Sequence, residues 1–199
     1  EQLIAHALKL QKVQAQTDSF GELISLSDDN AILLSYYRNN VLHLFIVPAI
    51  LASAVLHQRQ ISQSRLLEIV GQLYPLLQQE LFLDIAELDH YCLAVLQHFY
   101  AADLMEKQGE DFLAPSHDSA AYFTLSLLAH NAEHTLQRYA MVLQLIESQG
   151  AQTRAELEKH SHELAQRLLS LHGITAPEYY DKQLFATLVN ALKDSGYTR

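Results

Sequence analysis

The sequence predicts a mainly α fold with small β hairpins, and three observations carry that expectation. Gly (6) and Pro (4) are scarce among 199 residues, too few for a turn-rich all-β chain. Apolar residues recur at helical spacing over several long stretches, such as Leu66, Ile69, Val70, Leu73 and Leu77. Helix-start chemistry precedes those stretches, while short alternating runs flank turn residues. With 49% hydrophobic residues, the chain has enough apolar side chain to bury a core.

In chain order, residues 3–10 read as a short helix. Residues 12–16 and 22–26 then alternate around Asp18-Ser19-Phe20-Gly21, which predicts a hairpin. Ser27-Asp28-Asp29-Asn30 supplies N-cap oxygens for a long helix beginning near Ala31. Pro48 lacks a backbone donor and is expected to kink or restart that helix. Ile61-Ser62 caps the next helix, a second spans 85–102, and residues 104–107 and 112–114 form a two-stranded wing around Gln108-Gly109-Glu110. Residues 116–147 make one long helix with Leu125, Leu128, Leu136, Tyr139, Leu143 and Ile146 on its buried side. Thr153 and Glu156 form a capping box for a helix that stops at Gly173. A last helix runs from Pro177 to Ser195-Gly196, and Tyr197-Thr198 would open a second wing.

The order helix, helix, strand thus occurs twice at similar spacing, from Ser62 to Leu104 and from Thr153 to Tyr197. The expected architecture is two winged-helix-like units joined by a long helix. Residues 1–30 hold the short helix and hairpin, 31–115 the first unit, and 116–199 the long helix with the second unit and its truncated wing.

The net charge of −10 disfavours nucleic acid and anionic lipid as partners unless basic residues cluster, and they are scattered. In the helix expected over 85–102 there is no Arg or Lys. That weakens the alternative reading, a winged-helix DNA-binding regulator, because a recognition helix needs donors for base edges and phosphates. Cys92, the single cysteine, sits in an apolar run and is expected to be a small buried side chain. The nearly all-apolar residues 41–56 number 16, short of the about 20 that a membrane span needs, and include His43 and Pro48. They read as a helix buried on most sides in a soluble core, with a dip into the membrane interface as the lesser reading. The chain opens at Glu1 with neither an initiator Met nor a signal sequence, so it is expected to be an excised piece of a longer protein.

Three motifs bear on chemistry. His98 and Asp103 have the His-x4-Asp spacing of an acyl-transfer base and its orienting carboxylate. They end a helix with Phe99 and Tyr100 between them, so no catalytic role is assigned to them. His130 and His134, with Glu133 between, match an inverted zincin pattern. No recognisable third ligand follows, so the zinc hydrolase reading is set aside and no metal is expected. His160 and His162 point to different faces of their helix and are expected to be exposed. The most unusual stretch is Leu33-Leu34-Ser35-Tyr36-Tyr37-Arg38-Asn39-Asn40-Val41-Leu42-His43, a polar cluster inside an apolar helix. Burying such groups costs a few kcal/mol unless each is paired. Either the cluster satisfies itself, or Tyr36, Tyr37, Arg38, Asn39, Asn40 and His43 dock onto a neighbouring domain.

That stretch, with the apolar run and Pro48 behind it, closely resembles the C-terminal region of bacterial membrane-associated glycerol-3-phosphate acyltransferases. So do Leu73-Tyr74-Pro75-Leu76-Leu77 with Glu80-Leu81-Phe82, Thr135-Leu136-Gln137-Arg138-Tyr139-Ala140, and Ala165-Gln166-Arg167-Leu168. The last continues through Leu171-His172-Gly173-Ile174 and Ala176-Pro177-Glu178 to Asp181-Lys182 and Gly196-Tyr197. The resemblance implies a parent enzyme that acylates the sn-1 hydroxyl of glycerol 3-phosphate from acyl-CoA or acyl-carrier protein. It implies a place on the cytoplasmic side of the bacterial inner membrane, and no cofactor. It also implies that the catalytic residues lie in an upstream acyltransferase domain, the expected partner of this chain. The 199 residues would then be a soluble, non-catalytic scaffold or interaction region.

Overall fold

The computed structural model describes residues 2–19, 21–150, 153–172 and 182–197. The chain divides into two compact units, Glu1–Val41 and Leu42–Arg199, with the division falling inside one long helix.

In the first unit, helix α1 (Gln2–Lys9) closes with Gln11 in the left-handed region. The Lys12 amide donates back to Ala7 O (2.9 Å) and that of Gln11 to Leu8 O (2.9 Å), which satisfies the helix's last carbonyls. Strands β1 (Gln14–Asp18) and β2 (Gly21–Ser25) pair antiparallel from Gln14↔Ser25 to Asp18↔Gly21, as their alternation predicts. Ser27 Oγ then accepts from the Asn30 amide (3.3 Å) and starts α2 (Asp28–Gln58), while Asn30 Nδ2 donates to Gln11 O (3.1 Å).

Helix α2 runs on through Pro48, where the sequence predicts a kink or restart. The ring removes one backbone donor, but Ile46, Ala49, Leu51, Ala52 and Val55 are all fully buried on the same helix. Their packing outweighs one lost hydrogen bond, worth about 1 kcal/mol. The segment Tyr36–Gln58 is long and apolar enough to cross a membrane by length and composition. The expectation of a helix buried on most sides holds from Ile46 to Val55, but not over the turns before it.

Arg59, in the left-handed region, ends α2 and leads into β3 (Gln60–Ser62). Ser62 is also the N-cap of α3 (Gln63–Leu81), its Oγ accepting from the Arg65 amide (3.3 Å). Helix α4 (Leu88–Ala101) follows, starting three residues later than the apolar pattern predicts because Asp84 to Glu87 form the connection. The wing is β4 (Glu106–Gln108) and β5 (Asp111–Leu113), turning at Gly109, whose φ of +62° a glycine adopts without strain. Strand β3 pairs with β5 from Gln60↔Leu113 to Ser62↔Asp111, so the sheet has three strands in the order β3-β5-β4.

Ser119 caps α5 (Ala120–Gln149) through the Tyr122 amide (3.1 Å). The capping box of α6 (Arg154–His172) is complete: Thr153 N donates to Glu156 Oε2 (2.9 Å) and Glu156 N to Thr153 Oγ1 (3.3 Å). The Gly173 stop and the Pro177 start lie outside the described residues. Helix α7 (Lys182–Asp194) ends at Gly196 (φ +82°), with Tyr197 N donating to Leu192 O (2.9 Å) and Gly196 N to Lys193 O (2.9 Å). Tyr197 therefore closes a helix rather than opening a strand, and Thr198 lies outside the described residues. Helix α7 packs on α3 and α6, and α5 packs on α6. The second unit thus forms one core, from Ile46 and Leu51 through Leu66, Leu96, Leu125 and Leu157 to Phe185 and Leu192. The architecture is mainly helical with small antiparallel sheets.

Candidate functional site

The polar cluster singled out in the sequence lies on the first half of α2. Tyr36, Tyr37, Asn40 and His43 are exposed, and Arg38 and Asn39 are half-buried. Arg38 donates from Nε (3.3 Å) and Nη2 (3.2 Å) to Asn39 Oδ1, so part of the cluster satisfies itself. The rings of Tyr36 and Tyr37 meet edge-on at 6.0 Å. Exposed apolar residues follow at Val41, Leu44 and Phe45. Tyr37 and Val41 stand one turn apart in the first unit, and Leu44 and Phe45 precede the buried turns of α2 in the second. The sequence singled out the polar members and missed these apolar ones, because a run apolar all round does not say which face meets protein. These exposed aromatic and aliphatic side chains, with hydrogen-bonding groups beside them, are surface of the kind that a partner covers.

His98 and Asp103 are both exposed at the end of α4. Asp103 takes φ +54°, its amide donating to Tyr100 O (3.0 Å) while that of Leu104 donates to Phe99 O (2.9 Å). This is a helix stop with Asp103 in the left-handed position, where short polar side chains are tolerated. The spacing from His98 is thus explained by termination of α4.

The histidine pair on α5 lies at 5.8 Å between ring centroids. His130 Nδ1 pairs with Glu133 Oε2 at 2.5 Å on the solvent face of α5. Among the described residues, no group of three or more His, Cys, Asp or Glu gathers as metal ligands do. An open groove of about 470 Å³ runs between α2 and α5 beside this pair, lined by Ser53, His57, Tyr122, Ser126, His130 and Glu133 among others. His160 and His162 are half-buried, where the sequence predicts exposure, because α6 is covered on more than one side. The His162 ring meets Phe185 of α7 edge-on (6.4 Å), and its Nδ1 is buried without a hydrogen-bond partner.

Sequence reasoning missed the most enclosed charges. Glu80 of α3 and Arg138 of α5 form an ion pair with both side chains 4% exposed, joining Arg138 Nη2 to Glu80 Oε1. The Tyr139 hydroxyl donates to Leu76 O (2.6 Å) and lies 3.2 Å from Glu80 Oε2. Burial holds the Glu80 carboxyl above its usual value, against the lowering effect of Arg138, and burial beside Glu80 likewise raises the Tyr139 hydroxyl far above its own. Cys92 is fully buried, as the sequence predicts, and burial pushes its thiol up to about 11. The available signal was an acid and an arginine each set among apolar helix positions.

Compared with known proteins, the chain matches the family model described as "Glycerol-3-phosphate acyltransferase C-terminal region" over residues 1–199. A protein of Shewanella baltica strain OS155 named glycerol-3-phosphate acyltransferase is 43% identical over 195 residues, 98% of this chain and 24% of the relative. Proteins of the same name are 42% identical in Shewanella oneidensis, with the same coverage, and 40% identical in Pseudoalteromonas atlantica strain T6c, over 97% of this chain and 24% of the relative. The chain spans about a quarter of the length of these relatives.

Proposed function

The chain belongs to the family of glycerol-3-phosphate acyltransferase C-terminal regions, and from that premise we propose that it is the non-catalytic docking region of a longer enzyme. The remainder of that polypeptide, upstream of this region, transfers a fatty acyl group from acyl-CoA or acyl-carrier protein to the sn-1 hydroxyl of glycerol 3-phosphate. The whole enzyme works at the cytoplasmic side of the inner membrane. The observation that carries the reading is exposed apolar surface on α2: Leu44 and Phe45 of the second unit, and Tyr37 and Val41 of the first, are exposed, whereas Ile46, Ala49, Leu51, Ala52 and Val55 of the same helix are fully buried. Exposed contiguous apolar surface of this kind marks an interaction site.

The order α2-β3-α3-α4-β4-β5, with β5 central, supports a winged-helix-like reading of this part of the second unit. Winged helices serve as interaction modules as well as DNA readers. Helix α4, in the place of a recognition helix, carries Asp89 and no Arg or Lys, which favours a protein partner.

The test is the paired variant Tyr37→Ser/Phe45→Ser in the full-length enzyme, with Arg38→Ala beside it. Acyl transfer to glycerol 3-phosphate is expected to fall for both, while thermal stability of the 199-residue chain stays within about 2 °C for the paired variant, since exposed positions contribute little to folding. Unchanged transfer activity in the paired variant would defeat the proposal. Esterification by the 199 residues alone, lost on His98→Ala, would equally defeat it.

A further inference from the structure

We propose that Phe82, at the junction of α3 and α4, is a rigid aromatic anchor for an apolar pocket rimmed by Lys or Arg on the upstream part of the same polypeptide. The proposal rests on the docking reading above but concerns a different surface.

Phe82 combines two features that folding does not reward. Its side chain is 90% exposed, and its backbone sits at φ +53°, ψ +43°, the left-handed region where a bulky residue is strained. A glycine would end α3 there without strain, and a polar residue would end it without exposing a ring. The junction itself is fixed. Phe82 N and Leu83 N both donate to Gln78 O, the latter at 3.1 Å, and Leu83 is buried. Two residues on, the Ile85 amide donates to the Tyr74 hydroxyl (2.9 Å). The ring is therefore held out on an ordered turn anchored on both sides. A large flat side chain with few rotamers, carried on a backbone fixed before binding, is the kind of residue that dominates interface energetics.

Charge specifies the partner. Between Arg65 and Lys107 the chain has seven carboxylates (Glu68, Glu80, Asp84, Glu87, Asp89, Asp103, Glu106) and no Lys or Arg. Arg138 compensates Glu80, whereas Asp84, Glu87 and Asp89, which follow Phe82, are exposed. Gln79 Nε2 donates to Asp194 Oδ2 (3.3 Å), bringing the end of α7, with Lys193 and Asp194, to the same end of α3; the carboxylates of the α3–α4 junction outnumber that one lysine. The surroundings of the ring are acidic, so an anionic bilayer is repelled and a basic protein surface is favoured.

The experiment places a photo-crosslinker at the site, Phe82→p-benzoylphenylalanine, in the full-length enzyme reconstituted in phosphatidylethanolamine–phosphatidylglycerol vesicles. Mass spectrometry of the irradiated protein is expected to find an intramolecular link to a peptide outside these 199 residues, with Lys or Arg close in sequence to the captured residue. Links to lipid alone, to a second copy of the enzyme, to a peptide without basic residues, or to nothing would overturn the proposal. Phe82→Gly supplies the control. It is expected to raise the Tm of the 199-residue chain by about 2–4 °C through relief of backbone strain, and to lower full-length activity roughly tenfold through loss of the anchor. A fall in Tm would mean that the ring serves the fold, and the proposal would be withdrawn. If the Tyr37/Phe45 variant lowers activity while Phe82→Gly does not, only this inference fails. If neither does, the docking reading falls with it.

Discussion

Replacing Arg138 by Met should cost the fold about 3–5 kcal/mol at neutral pH, because removal of one partner leaves a buried carboxylate without its cation. Glu80 and Arg138 are each 4% exposed, so water cannot take over the lost role. The cost should lie near 3 kcal/mol, since the Tyr139 hydroxyl, 3.2 Å away, can still turn toward the carboxylate. It should also depend on pH. The folded-state pKa of Glu80 is already raised above 4.5 by burial, and Arg138 is the main influence opposing that rise. In the variant the carboxyl climbs further, so between pH 4.5 and its folded value the native state binds more protons than the unfolded state. Stability in that window falls as pH rises, and the defect shrinks as pH is lowered toward 4.5. The assay is urea unfolding of both proteins at pH 8 and pH 5.5, comparing midpoints at a common slope. A second variant, Glu80→Leu/Arg138→Met, removes both charges and should recover most of the loss, as apolar replacements of buried pairs commonly do. A loss under about 1 kcal/mol at pH 8, an equal loss at both pH values, or a double variant no better than the single would refute the reasoning.

Three further outcomes follow from local geometry. Ser62→Ala removes the oxygen that caps α3 (3.3 Å to the Arg65 amide) and should cost about 1 kcal/mol in thermal or chemical unfolding. Cys92, fully buried and with its thiol pushed up to about 11, should resist iodoacetamide at pH 8 in the folded chain and react on unfolding; rapid native-state labelling, read by mass spectrometry, would contradict this. Hydrogen bonds from Thr153 hold the Glu156 carboxyl below its usual value, so the support it gives the start of α6 is present above about pH 4.5 and lost as pH falls through the folded value. Protection of the Glu156 and Leu157 amides, taken relative to their intrinsic exchange rates at each pH, should fall on acidification, and Glu156→Gln should flatten that dependence.

What the sequence makes legible here is local. Ser62 and the Thr153–Glu156 pair cap their helices by bonds spanning three residues, and Gly109 turns the wing, so each can be read from its neighbours, whereas the cap at Ser119 starts α5 four residues after the start expected at residue 116. Contacts distant in sequence are not legible in the same way. Strand β3 is only Gln60-Ile61-Ser62, too short for its alternation to mark it, and it exists because the β4–β5 hairpin returns some fifty residues later to pair with it. Glu80 and Arg138 are 58 residues apart, and each alone resembles a polar residue on a helix face. Phe82 escaped notice because helix stops are sought at Gly or Asn, whereas this one is enforced by burial of Leu83. The stretch from Tyr36 to His43 is legible as an anomaly, a polar cluster in an apolar helix. The exposed apolar residues of α2 are not, since only packing tells which apolar residues stay in water.

The distribution of reactive groups argues for an interaction role. A general base needs a partner that orients it and a site that shields it from bulk water, together with access for a substrate. Among the described residues these requirements are met separately and never jointly. Glu80, Arg138 and Tyr139 are shielded and mutually oriented, but they sit between α3 and α5 and are occupied with one another and with Leu76 O. His98 and Asp103 are accessible, but both are exposed and Asp103 is committed to stopping α4. His130 has an orienting carboxylate in Glu133, yet that pair faces solvent at an open groove. The places where this chain departs from what folding alone would favour are instead apolar: the exposed apolar side chains on α2 and the strained, exposed ring of Phe82. Strain and exposed apolar area persist where binding repays them, and at both places the chemistry on offer is contact rather than proton transfer.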